Sequence, residues 1–174
     1  MDNMGWILMN KRILLFLVFA MVTLFFCGCG IKVVSQQKQA NIILNELIVA
    51  LENEDAEAIK SMLAADLTVS SESIDDEIQD ALELFDGKVI SYDKLETVSG
   101  GESFDNGALT YSRISNGHTE KIVTDTDTYK MSFSAILINK KKKTQEGLWQ
   151  ICIENSNGNY VIIGSNNFDF NWNS

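Results

Sequence analysis

Thr128-Tyr129-Lys130-Met131-Ser132-Phe133-Ser134-Ala135-Ile136-Leu137-Ile138 decides the fold. Tyr129, Met131, Phe133, Ala135 and Leu137 alternate with Lys130, Ser132 and Ser134, a period of two that places the apolar residues on one face of a β-strand before the pattern turns apolar on both faces. Shorter runs at Val89–Tyr92, Leu109–Ile114, Lys121–Thr124, Leu148–Ile153 and Tyr160–Ile163 read as its neighbours. The expected turns between them are Gly100-Gly101, Asp105-Asn106-Gly107, Asn116-Gly117, Asp125-Thr126-Asp127 and Asn157-Gly158, with Asn-Gly the strongest hairpin signal.

Upstream of Lys88 the period is that of a helix. Ile43, Leu44, Leu47, Ile48 and Leu51 form one apolar stripe on a helix expected from about Gln37 to Glu52. Ala56, Ile59, Met62 and Leu63 mark a second, short helix, with Glu54, Asp55 and Glu57 at its start, the sign a helix N-terminus favours. Ser73-x-x-Asp76 has the form of a capping box for a third helix, whose stripe is Ile74, Ile78, Leu82 and Phe85 and which Gly87 ends in a left-handed conformation. The expected fold class is therefore α+β: three N-terminal helices packed on a curved antiparallel sheet of four to six strands.

The first thirty residues carry a different signal. Lys11-Arg12 precedes an uncharged apolar run from Ile13 to Phe26, which stops at Cys27-Gly28-Cys29-Gly30. A basic start, an apolar core too short to span a bilayer comfortably, and a small residue before a cysteine form a bacterial lipoprotein export signal, with Cys29 as the lipid-modified residue. Phe26 and Cys27 stand where such sites usually carry Leu and a small residue. Met9 reads as an alternative start. The organisation expected is a signal peptide over residues 1–28, a tether over 29–38 and a single α+β domain over 39–174, on the outer face of the cytoplasmic membrane.

Charge and cysteine content narrow the function classes. The chain has 174 residues and a formal net charge of −10; without residues 1–28 it loses Asp2, Lys11 and Arg12, leaving 12 basic against 23 acidic residues, or −11. Binding a nucleic-acid backbone requires a basic surface, so nucleic acid is not an expected partner. An acidic domain is also repelled by anionic lipid, so membrane residence is expected to come from the lipid on Cys29. With Cys27 removed and Cys29 modified, Cys152 has no intramolecular disulfide partner, and its apolar strand makes it a core residue.

No motif of catalysis or metal binding stands out. Asp125-x-Asp127-x-Tyr129 begins like a calcium loop but has Lys130 where the sharp turn requires Gly and Ile136 where a bidentate Glu is required. No His/Cys spacing suits zinc, Gly100-Gly101 does not open a helix as a phosphate loop would, and no cofactor is expected. Asp75-Asp76-Glu77 with Asp80 reads as a solvated first helical turn. Lys140–Lys143 is a basic loop between two strong strands, either solvated or a contact for anionic polymer or lipid. Phe168-Asp169-Phe170-Asn171-Trp172 reads as an edge strand or an exposed aromatic patch.

The order of elements resembles the cone-shaped, cystatin-like fold of nuclear transport factor 2 and ketosteroid isomerases. Phe85-Asp86-Gly87-Lys88-Val89-Ile90-Ser91-Tyr92, Tyr129-Lys130-Met131-Ser132-Phe133 and Gly147-Leu148-Trp149-Gln150-Ile151 resemble a family of Gram-positive lipoproteins known as domain of unknown function 5104. That resemblance implies a fold and an address, and no assigned activity. The cone fold implies a pocket between sheet and helices, for which the candidates are Tyr92, Tyr111, Tyr129 and His118, with Asp93 as a carboxylate to examine. The expected function is a binding or interaction module for a small molecule or an envelope protein, and not an enzyme. The alternatives are a cofactor-free isomerase or hydrolase using pocket Tyr and Asp groups, and a structural or immunity-type envelope protein.

Overall fold

The structure, a computed structural model, describes residues 35–95 and 98–164. Four α-helices come first: α1 (Gln36–Glu52), α2 (Ala56–Met62), α3 (Ala65–Ser70) and α4 (Ile74–Leu84). Six strands follow: β1 (Val89–Tyr92), β2 (Val98–Asp105), β3 (Ala108–Thr124), β4 (Thr128–Asn139), β5 (Gly147–Asn155) and β6 (Tyr160–Gly164), with a 3-10 turn at Lys143–Gln145 before β5. They form an antiparallel sheet in the order β1-β3-β4-β5-β6, with β2 also paired to β3. The α+β class and the strand number agree with the sequence; three helices do not.

The extra helix, α3, follows a break at Leu63-Ala64, where Ala64 N–H leaves the helical pattern and donates to Leu148 O on β5 at 2.9 Å. One apolar run is thus cut in two by a tertiary hydrogen bond. The capping box at Ser73 does not form: Ser73 has helical dihedrals and its hydroxyl donates to Glu77 Oε1 at 2.7 Å instead of accepting from the backbone. Real caps sit elsewhere, with Ser35 Oγ accepting from Lys38 N–H and Asp55 Oδ1 from Ala58 N–H at 2.9 Å. Gly87 takes φ +88°, as expected of the residue that turns the chain out of α4.

Two expected turns are strand. Gly100-Gly101 lies inside β2, and Asn116-Gly117 lies inside β3, so Leu109–Ile114 and Lys121–Thr124 are parts of one 17-residue strand. A type I′ hairpin needs φ > 0 at both central residues, and neither Asn116 nor Gly117 has it. Gly117 is held in the sheet on both sides, opposite Val98 at the start of β2 and opposite Phe133 of β4, and β4 stays paired with β3 past this point. The extra residue is absorbed as a bulge between Ile114 and Gly117. The Asn-Gly that does turn is Asn106-Gly107, at φ 49° and 78°, joining Asp105 to Ala108.

The helices share their core with one face of the sheet. Leu44, Leu47, Leu51, Ile59 and Ile78 meet Ile122, Tyr129, Met131, Phe133 and Ile151, all at most 2 % exposed. α1 crosses the sheet lengthwise, from Gln36 beside Ser112 on β3 to Glu52, whose carboxylate accepts from Val89 N–H at 3.1 Å on β1. α4 lies at the other edge, where Glu77 Oε2 accepts from Gly164 N–H at 2.8 Å.

Candidate functional site

Tyr129, one of the four candidate pocket groups, is a core residue. It is 1 % exposed, its ring centroid is 4.6 Å from that of Phe85, and its hydroxyl accepts from Asp86 N–H at 2.8 Å and lies 3.3 Å from Asp86 O. Burial pushes its pKa up, and nearby Asp127 and Asp86 add to the rise. The phenol thereby ties the α4–β1 corner to β4, assisted by Thr126 Oγ1 donating to Asp86 O at 2.8 Å and Lys88 N–H donating to Asp125 Oδ1 at 2.6 Å.

The other three lie apart from it. Tyr92, at the end of β1, donates its hydroxyl to Asn45 Oδ1 on α1 at 2.8 Å. Tyr111 is opposite Asn139, at the far end of the β3–β4 ladder from Tyr129. His118 is opposite Ser132, with its Nε2 2.7 Å from Glu120 Oε1; that contact holds the Glu120 carboxyl below its usual range. Asp93 is exposed and is held by its backbone, with Asp93 N–H on Lys121 O and Asp93 O accepting from Thr119 Oγ1. The structure does not bring these side chains together around one cavity.

A cavity of about 350 Å³ instead opens between α1 and α2. Its walls include Asn45, Glu46, Val49, Asp55, Ala58 and Met62, so Tyr92 reaches its rim through Asn45. Val49 is 47 % exposed there. Val49 is an apolar residue outside the Ile43/Leu44/Leu47/Ile48/Leu51 stripe, and that departure from the stripe is the sequence signal for this groove. Its carboxylates, Glu46 and Asp55, are exposed, and Asp55 caps α2. Such walls offer contact and charge, and no desolvated acid or base.

The sheet face away from the helices holds a second group of interest. Alternation along β4 and β5 sends Ser132, Ser134, Gln150 and Cys152 to the side opposite Met131, Phe133 and Ile151, yet all four are at most 3 % exposed. Ser132 Oγ, Ser134 Oγ and Asn116 Oδ1 have no hydrogen-bond partner among the described residues. Burial pushes the Cys152 thiol up to about 11, with Glu154 adding to the rise, so it is protonated and a poor nucleophile at neutral pH.

Among the described residues no three His, Cys, Asp or Glu side chains stand together as a metal site. Asp125 and Asp127 serve the β3–β4 turn, each accepting a backbone N–H. In the basic loop, Lys142 pairs with Asp66 at 2.6 Å and Lys143 with Glu146 at 2.7 Å. The Lys142 contact lowers the Asp66 pKa; for Glu146, burial alone would raise it, but Lys143 and the Asn139 N–H outweigh burial. Cys29 and the aromatic tail Phe168–Trp172 lie outside the described residues. Among the described residues no helix is long and apolar enough to cross a membrane.

Residues 46–158 match the model of a domain of unknown function, DUF5104, and the chain belongs to that family. The match runs from the middle of α1 to the β5–β6 turn. No curated protein matches the chain.

Proposed function

We propose that this member of the DUF5104 family is an extracytoplasmic binding module of a Gram-positive cell, held on the outer face of the cytoplasmic membrane by lipid on Cys29 and shaped as a nuclear transport factor 2-like cone. The anchor rests on the order Lys11-Arg12, Ile13–Phe26, Gly28-Cys29. The cone shape is supported by helices preceding an antiparallel sheet and sharing a core with one face of it.

Binding is preferred to catalysis on one observation: among the described residues the buried polar side chains are Ser112, Thr119, Thr124, Ser132, Ser134 and Gln150, with no carboxylate among them. A cofactor-free isomerase of the cone type requires an acid or base desolvated beside its substrate. Here the helix-facing side of the sheet is occupied by Met131, Phe133 and Ile151, and the groove between α1 and α2 is where a partner finds apolar and acidic contacts together.

Native mass spectrometry of the mature protein, purified gently from its own membranes, tests this reading. A mass beginning at diacylglyceryl-modified Cys29, with a second polypeptide retained, is the expected result. An unmodified or uncleaved chain overturns the anchor, and a retained small molecule moves the reading from a protein partner to a pocket ligand.

A further inference from the structure

α1 begins at one end of the sheet. The Gln36 side-chain amide lies 3.2 Å from Ser112 Oγ, 3.2 Å from Arg113 O and 3.3 Å from Gly101 O, so the chain enters the domain beside the first half of β3. Six residues lie between Cys29 and Gln36, a reach of roughly 25 Å at full extension.

Two exposed features share that end. The β3–β4 ladder stops at Tyr111 opposite Asn139, whereas β2 and β3 stay paired as far as Asp105 and Ala108, so their hairpin overhangs the rest of the sheet. On the overhang Phe104 is 58 % exposed. Beside it, Lys140 N–H donates to Thr110 O at 3.0 Å, which places the basic loop against the hairpin. Lys142 and Lys143 are taken up by Asp66 and Glu146, leaving Lys140, Lys141 and Arg113 exposed and without an ion pair among the described residues, on an end that also carries the exposed Glu102 and Asp105. The opposite end of the sheet, at the start of α2 and the β3–β4 and β5–β6 turns, presents Glu54, Asp55, Asp125 and Asp127 together with the exposed Lys88 and Tyr160, so the two ends differ in charge and not in the presence of an exposed aromatic ring.

We propose that the end of the domain where α1 begins is a membrane-facing surface, with Phe104 entering the headgroup layer of an anionic phospholipid bilayer and Lys140, Lys141 and Arg113 meeting its phosphates. An aromatic ring and unpaired cations are the groups that sit at such an interface, while the acidic far end is repelled from it. The proposal rests on the Cys29 anchor: the lipid supplies retention, and this surface supplies orientation that a domain of net charge −11 would not achieve by attraction alone.

The test uses the mature lipoprotein in nanodiscs containing phosphatidylglycerol and a nitroxide-headgroup lipid, with a fluorophore on either Ser103→Cys, on the overhanging hairpin, or Asn157→Cys, in the β5–β6 turn. Expected is quenching at least about threefold stronger at position 103, falling toward equality in Lys140→Glu/Lys141→Glu, in phosphatidylcholine discs or in high salt. Equal quenching at both positions, or a bias unmoved by the double substitution and by lipid charge, overturns the proposal. If native Cys29 proves unmodified, coupling residue 29 to a maleimide lipid in the same discs still reads the surface, so failure of the anchor and failure of the surface are told apart.

Discussion

Met131 and Phe133 on one face of β4, and Ser132 and Ser134 on the other, are equally dry at 0–1 % exposure and opposite in chemistry. The first pair joins the core that the helices share with the sheet; the second stands outside it with Cys152 and Ile136. Burial of the first pair needs no further account, since each large apolar side chain removed from water contributes about 1.5–3 kcal/mol. Burial of two hydroxyls without a partner among the described residues costs free energy. The two faces teach that alternation of polarity assigns side chains to faces but does not decide which face is wet.

The sharpest way to break that contrast is Phe133→Ala, which should lower unfolding free energy by about 3–5 kcal/mol in urea titration, because a fully buried ring leaves a cavity in the shared core. Gly117→Ala should follow at about 1–3 kcal/mol. Its new Cβ would lie 2.8 Å from Phe133 Cζ, and Phe133→Leu in the same chain should recover part of the loss if that overlap is the cause.

The opposite face gives smaller effects of a different kind. The Cys152 thiol ionises near 9.0 when unfolded and is pushed up to about 11 by burial, so its contribution is complete below pH 9 and is lost as pH rises from 9 through 11. Stability should therefore fall by about 1 kcal/mol between pH 8 and pH 10. Cys152→Ala should flatten that limb, and the native thiol should alkylate far more slowly than the unfolded one. Tyr129, also pushed upward from 10.0, joins in the same direction from about pH 10 upward.

The smallest effect is expected for Ser134→Ala, within about 1 kcal/mol and in the stabilising direction, because it removes a buried hydroxyl for which no described partner exists. A loss larger than that would mean that Ser134 has a partner on this face, and the contrast between the faces would have to be redrawn.

What was legible followed from periodicity. The stripes of α1 and α4, the alternation of β4 and the turns at Asn106-Gly107 and Asn157-Gly158 are local patterns, and the structure keeps them. β2 was missed because Val98-Ser99-Gly100-Gly101-Glu102 has little to bury, and it is strand only because β3 pairs along its whole length. The candidate site was less legible still: Tyr129, Tyr92, Tyr111 and His118 are of types suited to a pocket, but three-dimensional placement sends one into the core, one to the rim of the α1–α2 groove and two to separate parts of β3.

The sequence by itself determined the α+β class and the net acidic charge, because composition and short-range periodicity are properties of the chain. Only the tertiary structure decided that Asn116-Gly117 continues as strand, that Leu63-Ala64 splits a helix in two, and that Phe104, Lys140 and the start of α1 meet at one end of the sheet. Each of those depends on hydrogen bonds between residues distant in sequence, such as Ala64 N–H to Leu148 O and Lys140 N–H to Thr110 O, whose partners no local pattern identifies.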